Sequence, residues 1–423
     1  MFCKLMVSFC IFHLNNRKQE KNKGYPLMMT QVEIDAALAK RPSCNWRSEP
    51  LLGSVYGQEE IDAAVNAIKE SMDPNVGFGF SATPIPEFEA AFAEYVGVKY
   101  ATAVNSAGPG IDIVMRALKL EPGDEVIVPP VNFGAAPLAV YGAGGKVVWG
   151  EVDPKTYMLD PEDVEKKITP RTRAIFPVHI HGMSAPMDKY IEIAERHPHP
   201  KYGPPKVIGD AARACGGSYK GTKIGKMGWA TIFSFHTMKN MTTLGEGGMI
   251  VTDDPWLNEY AHSVRMYGGG VDAWGTSNVM TKVQAAVGLV QLSKLDSFID
   301  GRRRVAYERN RLLQGVEGIE IPYEPLDCIH TYYLYAITLK QEWAGEKRDA
   351  LIKMMNDEYG IGCVVANAPQ YLSRKMLADA YGMTTPKSEE YAKRMMCISL
   401  HPTMSSDDNR YICAALITCL KKL

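Results

Sequence analysis

Strand-like and helix-like segments alternate between residues 100 and 252, and this alternation constrains the fold more than any other feature of the sequence. The strand-like segments are short apolar runs, typical of strands buried on both faces: "YATAVN" (100–105), "DEVIVPP" (124–130), "KVVWGEV" (146–152), "TRAIFPVHI" (172–180), "PKVIGDAA" (205–212), "ATIFSF" (230–235) and "GGMIVT" (247–252). Between them lie two stretches with apolar residues at helical spacing: "PGIDIVMRALKL" (109–120) and "PMDKYIEIAERH" (186–197). The pattern predicts an α/β domain with a mostly parallel sheet.

A second, smaller region follows a long helical pattern over residues 283–316. It contains a predicted strand at 332–340, a helix ending in glycine at 348–360 and a capped terminal helix at 405–423. These elements predict a small C-terminal α+β domain. We therefore expect an N-terminal segment and large domain over 29–290, and a linking helix and small domain over 291–423.

The first 28 residues have a different character, because an apolar stretch is followed by the charged run "NNRKQEKNKG". A signal peptide has its positive region first and a small-residue cleavage site after it, and this segment has neither arrangement. It is also too short to span a bilayer. We expect residues 1–28 to be disordered or to precede the native start, with a second start at Met28 or Met29.

Charge and cysteine content exclude several classes of protein. The formal net charge is −1, so no overall basic field attracts nucleic acid or an anionic membrane. The nine cysteines show no CxxC pair and no Cys/His spacing of a metal site. A cytoplasmic protein without a metal is the simplest interpretation.

Three loops of the predicted sheet carry residues suited to chemistry. "NSAGPG" (105–110) joins a strand to a helix start, where backbone N–H groups can hold a phosphate; a tight turn without a ligand is the alternative. Asp210 ends a buried strand, as a ligand or as a helix cap. "FSFHTMKNMTTLGEGG" (233–248) places Ser234 and Lys239 between two strands, and Lys239 alone could be a surface charge.

Taken together, a phosphate loop, an aspartate and a lysine between strands favour a pyridoxal 5'-phosphate (PLP) site. A lysine whose pKa is lowered forms a Schiff base with a carbonyl. An aspartate keeps the pyridine nitrogen protonated, so that the ring can accept electrons. This combination favours roles for Lys239 and Asp210 in covalent and electrostatic catalysis, respectively.

From about residue 50 to residue 420, the chain resembles the DegT/DnrJ/EryC1/StrS family of PLP-dependent aminotransferases. Six stretches carry the resemblance: "EFEAAFAEYVGVKYATAVNS" (87–106), "LEPGDEVIVPP" (120–130), "DPKTYMLDPEDVEKKITPRTRAIFPVHIHG" (153–182), "IGDAA" (208–212), "SFHTMKNMTTLGEGGMIVTDD" (234–254) and "QAAVGLVQL" (284–292). The resemblance implies an aspartate-aminotransferase-like fold (fold type I), with a large PLP-binding domain and a small C-terminal domain.

The resemblance also implies roles for single residues. Lys239 would carry the Schiff base, Asp210 would pair with the pyridine nitrogen, and Phe133 would stack on the ring. The phosphate would be surrounded by Ser106, Ala107, Gly108 and Ser234. Asn278 matches an asparagine that family members lend to the phosphate of the partner subunit, which implies a homodimer with shared active sites.

The sequence departs from the family pattern mainly where substrate would bind. The phosphate loop reads Ser106-Ala107-Gly108 instead of S-G-T, and the arginine common after the asparagine of the partner loop is absent. "CVVANAPQYL" (363–372) replaces a segment that often contains a histidine pair. Arg213 replaces a glutamine or histidine beside the phenolic oxygen of the cofactor. It could stabilise the phenolate, bind a substrate carboxylate, or turn outward to a surface acid.

The sequence leaves three functions open. The first is an aminotransferase that moves an amino group from glutamate or glutamine to a keto-sugar or keto-cyclitol in a biosynthetic pathway. The second is another PLP enzyme on this scaffold, such as a cyclase, eliminase or dehydratase. Lys239 argues against the family's 3-dehydratases, which carry histidine at that position. The third is a non-catalytic PLP-dependent regulator, although no DNA-binding domain is recognisable.

Overall fold

The structure, a computed structural model, describes residues 28–43, 46, 55–76, 83–365 and 367–423. The expected leader over residues 1–28 lies outside the described residues, apart from Met28. The helices are α1 (Gln31–Leu38), α2 (Gln58–Glu70), α3 (Pro84–Val96), α4 (Ala107–Ala117), α5 (Ala135–Gly142), α6 (Pro161–Lys167), α7 (Met187–Arg196), α8 (Pro255–Val264), α9 (Lys282–Leu313), α10 (Glu346–Tyr359), α11 (Gln370–Ser373), α12 (Lys375–Tyr381), α13 (Pro386–Arg394) and α14 (Ser406–Leu420).

The strands are β1 (Tyr100–Val104), β2 (Glu125–Val128), β3 (Lys146–Trp149), β4 (Thr172–Ile175), β5 (Lys206–Asp210), β6 (Ser218–Tyr219), β7 (Thr222–Lys223), β8 (Ala230–Ser234), β9 (Gly248–Thr252), β10 (Ile319–Glu320), β11 (Cys328–Ile329), β12 (Tyr335–Leu339), β13 (Cys363–Val364) and β14 (Met395–Ile398). Single turns of 3₁₀ helix occur at Ile180–Gly182 and Gln341–Trp343.

A seven-stranded sheet in the order β1-β9-β8-β5-β4-β2-β3 forms the centre of the molecule. Strands β8, β5, β4, β2 and β3 pair in parallel, and β9 runs antiparallel to both of its neighbours, β8 and β1. Six strands therefore share one direction. The mostly parallel sheet expected from the sequence is confirmed.

Burial explains why apolar runs, and not alternating patterns, mark these strands. Every residue of β2, β4, β8 and β9 is buried, because helices cover both faces of the sheet. On one face, α4, α5 and α8 pack through residues such as Val114, Val140 and Leu257. On the other face, α3 and the first part of α9 pack through Phe88 and Leu295.

A four-stranded antiparallel sheet in the order β10-β12-β14-β13 forms the centre of the C-terminal region. The long helix α9 connects the two regions, since Leu295 belongs to the first core and Leu313 to the second. Helix α1 also packs in this second core, through Ile34 and Ala37. The predicted division at residue 290 falls inside α9, so one continuous helix crosses it.

None of the helices in the described ranges has both the length and the apolar character needed to cross a membrane. The same ranges contain no cluster of three or more side chains that could hold a metal ion.

Candidate active site

A cavity of about 370 Å³ opens at the carboxyl ends of β1, β2, β5 and β8, where open α/β sheets bind their ligands. Its volume lies within the range of roughly 300–1,000 Å³ typical of small-molecule sites. Its lining includes every predicted site residue except Asn278: Ser106, Ala107, Gly108, Phe133, Asp210, Arg213, Ser234 and Lys239. The sheet thus brings together residues that are up to 133 positions apart in sequence, from Ser106 to Lys239.

The phosphate loop is the N-terminus of α4. Ser106 is the N-cap in an extended conformation, but its side chain does not cap the helix. Its hydroxyl donates instead to Oε2 of Glu246 at 3.2 Å. The first amides of α4 therefore face the cavity without a side-chain acceptor from the N-cap residue, and the helix dipole is positive at this end. This arrangement suits a phosphate group.

Close packing behind the phosphate loop requires a glycine on the neighbouring strand. Gly248 pairs with Val104 in the sheet, and a Cβ atom at Gly248 would lie 2.7 Å from the backbone nitrogen of Ala107. A larger residue would push α4 away from β9. The glycine-rich run after Lys239 therefore has a structural role in fixing the floor of the cavity.

Asp210 is the last residue of β5 and is 5% exposed. Burial raises the pKa of its carboxyl group, and the Ala212 amide, Lys239 and Arg213 partly offset that effect. The amide of Ala212 donates to Oδ1 at 2.9 Å, which fixes the orientation of the carboxylate. A buried carboxylate facing a ligand cavity stabilises a cationic group such as a protonated pyridine nitrogen.

Lys239 lies in a turn between β8 and β9, and its amide donates to the carbonyl of His236 at 2.8 Å. The side chain reaches the cavity, where Nζ donates to Oη of Tyr333 at 3.4 Å. The same nitrogen lies 4.9 Å from the centroid of the Tyr333 ring. Lys239 is thus a half-buried cavity residue and not a surface charge.

Arg213 also lines the cavity, with its guanidinium carbon 5.8 Å from the centroid of the Tyr333 ring. Its Nη1 atom is buried and has no hydrogen-bond partner in the described part of the chain. The guanidinium of Arg213 lies over the Tyr333 ring inside the cavity, so the outward, surface-paired arrangement is not the one observed. Its cation remains available to a group inside the cavity.

Phe133 and Ser234 lie at two different strand ends. Phe133 lines the cavity and is 65% exposed, so its ring is accessible to a flat ligand that could stack on it. Ser234 ends β8 and is buried next to the phosphate loop side of the cavity. Its Oγ accepts a long hydrogen bond of 3.4 Å from the amide of His236.

Asn278 is the predicted site residue that the structure does not bring into the cavity. Its backbone carbonyl accepts from the amide of Asn105 at 2.9 Å, and its own amide donates to the carbonyl of Arg265 at 2.9 Å. Asn278 therefore holds the loop that precedes α4 through its backbone. Its side chain does not line the cavity.

Unpartnered polar atoms indicate that the cavity is built for a polar ligand. Asn132 is 1% exposed and lines the cavity, yet neither Nδ2 nor Oδ1 has a hydrogen-bond partner among the described residues. Buried polar groups are normally satisfied, so an amide in this state implies a missing partner. Together with Nη1 of Arg213 and the open N-terminus of α4, it fits a ligand that carries both oxygen and nitrogen atoms, as PLP does.

The sequence does not predict three of the polar residues that line the cavity: Asn132, Glu246 and Tyr333. Asn132 lies in the loop after β2, four residues beyond the end of the strand, so the rule that ligands bind at strand ends could have identified it. Glu246 lies in the glycine-rich run after Lys239, where its side chain accepts from the hydroxyl of Ser106. No local signal marks Tyr333, because it reaches the cavity from the C-terminal region through the fold.

A second and larger cavity, of about 410 Å³, lies on the other side of Ile180, which lines both. Its lining includes Lys155, Glu320 and the buried His181. Its lining contains neither the N-terminus of an α-helix nor a residue of the predicted PLP site. Size alone therefore does not identify the active site; the chemistry of the lining does.

Comparisons with known proteins agree with this geometry. The sequence profile described as the DegT/DnrJ/EryC1/StrS aminotransferase family matches residues 58–417. The match spans most of the chain, and the chain belongs to this family. It is an aminotransferase, and membership implies PLP as its cofactor.

Individual relatives support the same assignment. The spore coat polysaccharide biosynthesis protein SpsC of Bacillus subtilis is 32% identical over 373 residues, which is 84% of this chain and 92% of that protein. The solved structure of DesV from S. venezuelae is 32% identical, with a TM-score of 0.77 over 85% of this chain and 95% of DesV.

Helicobacter pylori PseC, an aminotransferase involved in the biosynthesis of pseudoaminic acid, has a TM-score of 0.81. It covers 89% of this chain and 100% of its own, but is 22% identical, so it shows the fold alone. The aspartate-aminotransferase-like architecture expected from the sequence is confirmed.

Proposed function

We propose that this aminotransferase moves an amino group from glutamate or glutamine to the carbonyl of a keto-sugar or keto-cyclitol in a biosynthetic pathway. The observation that carries the proposal is one cavity that holds Lys239, Asp210 and the uncapped N-terminus of α4. The name of SpsC refers to polysaccharide biosynthesis, which supports a carbohydrate acceptor.

Each residue has a defined task in this proposal. PLP supplies an electron sink and a carbonyl when it is bound. Lys239 provides the amine that attaches it and later moves protons at the reacting carbon. Asp210 holds a proton on the pyridine nitrogen, and Ser106, Ala107, Gly108 and Ser234 surround the phosphate. Phe133 covers one face of the ring.

We also propose a homodimer in which Asn278 of each subunit completes the partner's phosphate site. Two features support it: the side chain of Asn278 does not line its own cavity, and apolar side chains stand exposed nearby in sequence. Tyr267 is 64% and Trp274 72% exposed in the loop before Asn278. Exposed aromatic residues of this kind are typical of surfaces that a partner covers.

Helix α2 adds a second exposed apolar surface. Ile61 and Ile68 are each 56% exposed, and Met72, just beyond the helix, is 78% exposed. The spacing places them on one side of the helix. A dimer that buries this stripe and the aromatic loop would remove both from water.

We also propose a cytoplasmic location, and the state of the cysteines supports it. The buried cysteines of the described ranges form no disulfide bond: Cys215, Cys328, Cys363, Cys397, Cys413 and Cys419. This supports a reducing, cytoplasmic setting.

The test of the function is a half-reaction with single amino donors. Mixing the loaded enzyme with glutamate or glutamine should convert the visible absorbance of bound PLP to that of pyridoxamine phosphate. Keto-sugars and keto-cyclitols should then restore the first spectrum, and mass spectrometry should find the aminated product. The proposal would be contradicted if neither glutamate nor glutamine converted the PLP absorbance. It would also be contradicted if only simple keto acids, and no keto-sugar or keto-cyclitol, restored the first spectrum.

Shared active sites can be tested with mixed dimers. Lys239→Ala and Asn278→Ala each damage both sites of their own homodimers. A hybrid dimer contains one site with native Lys239 and a native Asn278 from the partner. Mixing the two variants should therefore recover activity above that of either alone. If subunit exchange is shown independently and the activity of the mixture only equals the sum of the two variants' activities, a shared site would be contradicted.

A further inference from the structure

Tyr333 contacts the amine of Lys239 in two ways. Nζ donates a hydrogen bond to the phenolic oxygen at 3.4 Å, and it lies 4.9 Å from the centroid of the ring. A hydroxyl oxygen and the face of an aromatic ring both attract a cation. Tyr333 is 1% exposed, so both interactions occur away from bulk water, where they are stronger.

The backbone that carries Tyr333 is held tightly against the large domain. The preceding residue, Tyr332, has a φ of 49°, a conformation that aromatic residues rarely adopt. The amide of Leu334 donates to the carbonyl of His181 at 3.1 Å. Gly182 has a φ of 109°, and a Cβ atom there would lie 2.8 Å from the backbone nitrogen of Tyr333. The strained backbone of Tyr332 and the close packing of Gly182 thus lie next to Tyr333, the residue that reaches Lys239. Backbone strain often occurs at functional sites.

The Tyr333 ring also contacts a second cation. The guanidinium carbon of Arg213 lies 5.8 Å from the ring centroid, and Lys239 lies 4.9 Å from it. The electron-rich faces of one buried aromatic ring thus attract two like charges inside the same cavity. Both cations also act on the carboxyl group of Asp210.

We propose that Tyr333 is a positioning residue for Lys239. It holds the lysine amine in one orientation whenever that amine is not attached to the cofactor, and it favours the protonated amine by accepting its hydrogen bond. A lysine side chain has many rotamers, so an amine held in place transfers protons faster than one that must first be ordered. The inference rests on the proposed function of Lys239.

The cofactor-free protein allows a test that does not depend on turnover. The rate at which Lys239 reacts with an acylating reagent can be followed against pH by peptide mass spectrometry. The test variant is Tyr333→Phe, which keeps the ring and removes the hydroxyl. The matched control is Tyr335→Phe, which removes a buried hydroxyl that donates to Oδ1 of Asn310 at 2.6 Å, outside the cavity.

Loss of the Tyr333 hydroxyl removes an acceptor that the ammonium form binds more strongly than the neutral amine does. The pH midpoint of Lys239 labelling should therefore fall by about 0.5 to 1 unit in Tyr333→Phe and stay at the wild-type value in Tyr335→Phe. Tyr333→Met, which also removes the ring, should lower the midpoint at least as far. If Tyr333→Phe folds poorly, this second variant decides. An unchanged or raised midpoint in the folded variants overturns the proposal.

The loaded enzyme provides a second readout. Tyr333→Phe should slow the single-turnover half-reaction about tenfold while the KM for the donor stays the same. Borohydride fixation of the cofactor separates the two claims. If borohydride fixes the cofactor to Lys239 but the pH midpoint of acylation is unshifted in Tyr333→Phe, only the role of Tyr333 is overturned. If borohydride fixes the cofactor to another lysine, the proposed function of Lys239 itself is overturned.

Discussion

Two walls of the active-site cavity are built in different ways. The strand-end wall consists of Ser106–Gly108, Asp210, Ser234 and Lys239, which lie at the ends of β1, β5 and β8 or within five residues of them. The loop wall consists of Asn132, Arg213 and Tyr333. Residues of the strand-end wall are oriented by neighbours a few positions away, as the Ala212 amide orients Asp210.

The loop wall is assembled through long-range contacts. Tyr333 and Lys239 are 94 positions apart, and the backbone carbonyl of Asn132 accepts from Gln370, which is 238 positions away. Local strand–loop motifs thus place the residues that we propose to bind the cofactor. The groups that would recognise a substrate depend on how the C-terminal region packs on the sheet.

The strongest way to break the strand-end wall is Lys239→Ala. Turnover should fall by several orders of magnitude, because covalent attachment and proton transfer are both lost. Steady-state and single-turnover assays measure the effect. Lys226→Ala is the matched control, since Lys226 pairs with Asp253 outside the cavity and its loss should leave turnover unchanged. A Lys239→Ala variant within tenfold of wild type would remove the lysine from the mechanism.

Asp210→Asn tests the electrostatic part of the same wall. Asparagine keeps the shape and can accept from the Ala212 amide, but it lacks the charge that holds a proton on the pyridine nitrogen. We expect bound cofactor and turnover lower by about 10²-fold or more. Near wild-type turnover would show that the ring nitrogen has a different partner.

Asp210→Asn should also change the thermal stability of the cofactor-free protein. Burial raises the pKa of Asp210 in the folded state, so the contribution of this group to stability is present below the unfolded pKa of about 3.9. That contribution is lost as the pH rises through the folded pKa. Without cofactor at pH 7, Asp210→Asn should therefore have a Tm equal to or above that of wild type. The difference should shrink toward pH 4.

Arg213→Gln tests the loop wall. If the guanidinium binds a substrate carboxylate, kcat/KM for glutamate should fall by roughly 2 kcal/mol, or about thirtyfold, while the spectral pH midpoint of the bound cofactor stays the same. If it faces the phenolic oxygen, the midpoint should rise and the glutamate kinetics should change less. If neither quantity moves, Arg213 has a structural role only.

Acid should lower the stability of the folded protein through His330, which holds the backbone next to Tyr333. This effect is the smallest of those predicted. Burial lowers the pKa of His330 to about 4, and Nδ1 of its neutral ring accepts from the Tyr332 amide at 2.8 Å. In the unfolded chain this histidine binds a proton at about pH 6.5. Its contribution to folding stability is therefore present above that pH and is lost as the pH falls toward 4. At pH 5.5 the cost is about 1 kcal/mol for this histidine. His330→Gln should flatten the dependence of Tm on pH between 6.5 and 5, and an unchanged slope would contradict this role.

The sequence was sufficient for the sheet and the strand-end wall because both depend on local signals. An apolar run followed by Asp210 predicts a buried strand with a polar end, wherever the rest of the chain lies. Of the loop wall, only Arg213 was predicted, through the family resemblance, and neither Asn132 nor Tyr333 was. Tyr333 falls in "YYLYAITLK", which predicts a strand over 332–340, but β12 begins at Tyr335 and Tyr332 has a positive φ. The two tyrosines before the strand are set by contacts with Gly182, which only the fold reveals.

Reductive fixation of the cofactor tests the central claim most directly, which is that Lys239 in the strand-end wall carries PLP. The holoenzyme is treated with borohydride, digested, and mapped by mass spectrometry, with Lys239→Ala as the control. The account predicts a phosphopyridoxyl group on the peptide that contains Lys239 and none on that peptide in the variant. A group fixed to another lysine, or none in a protein with bound PLP, would contradict it.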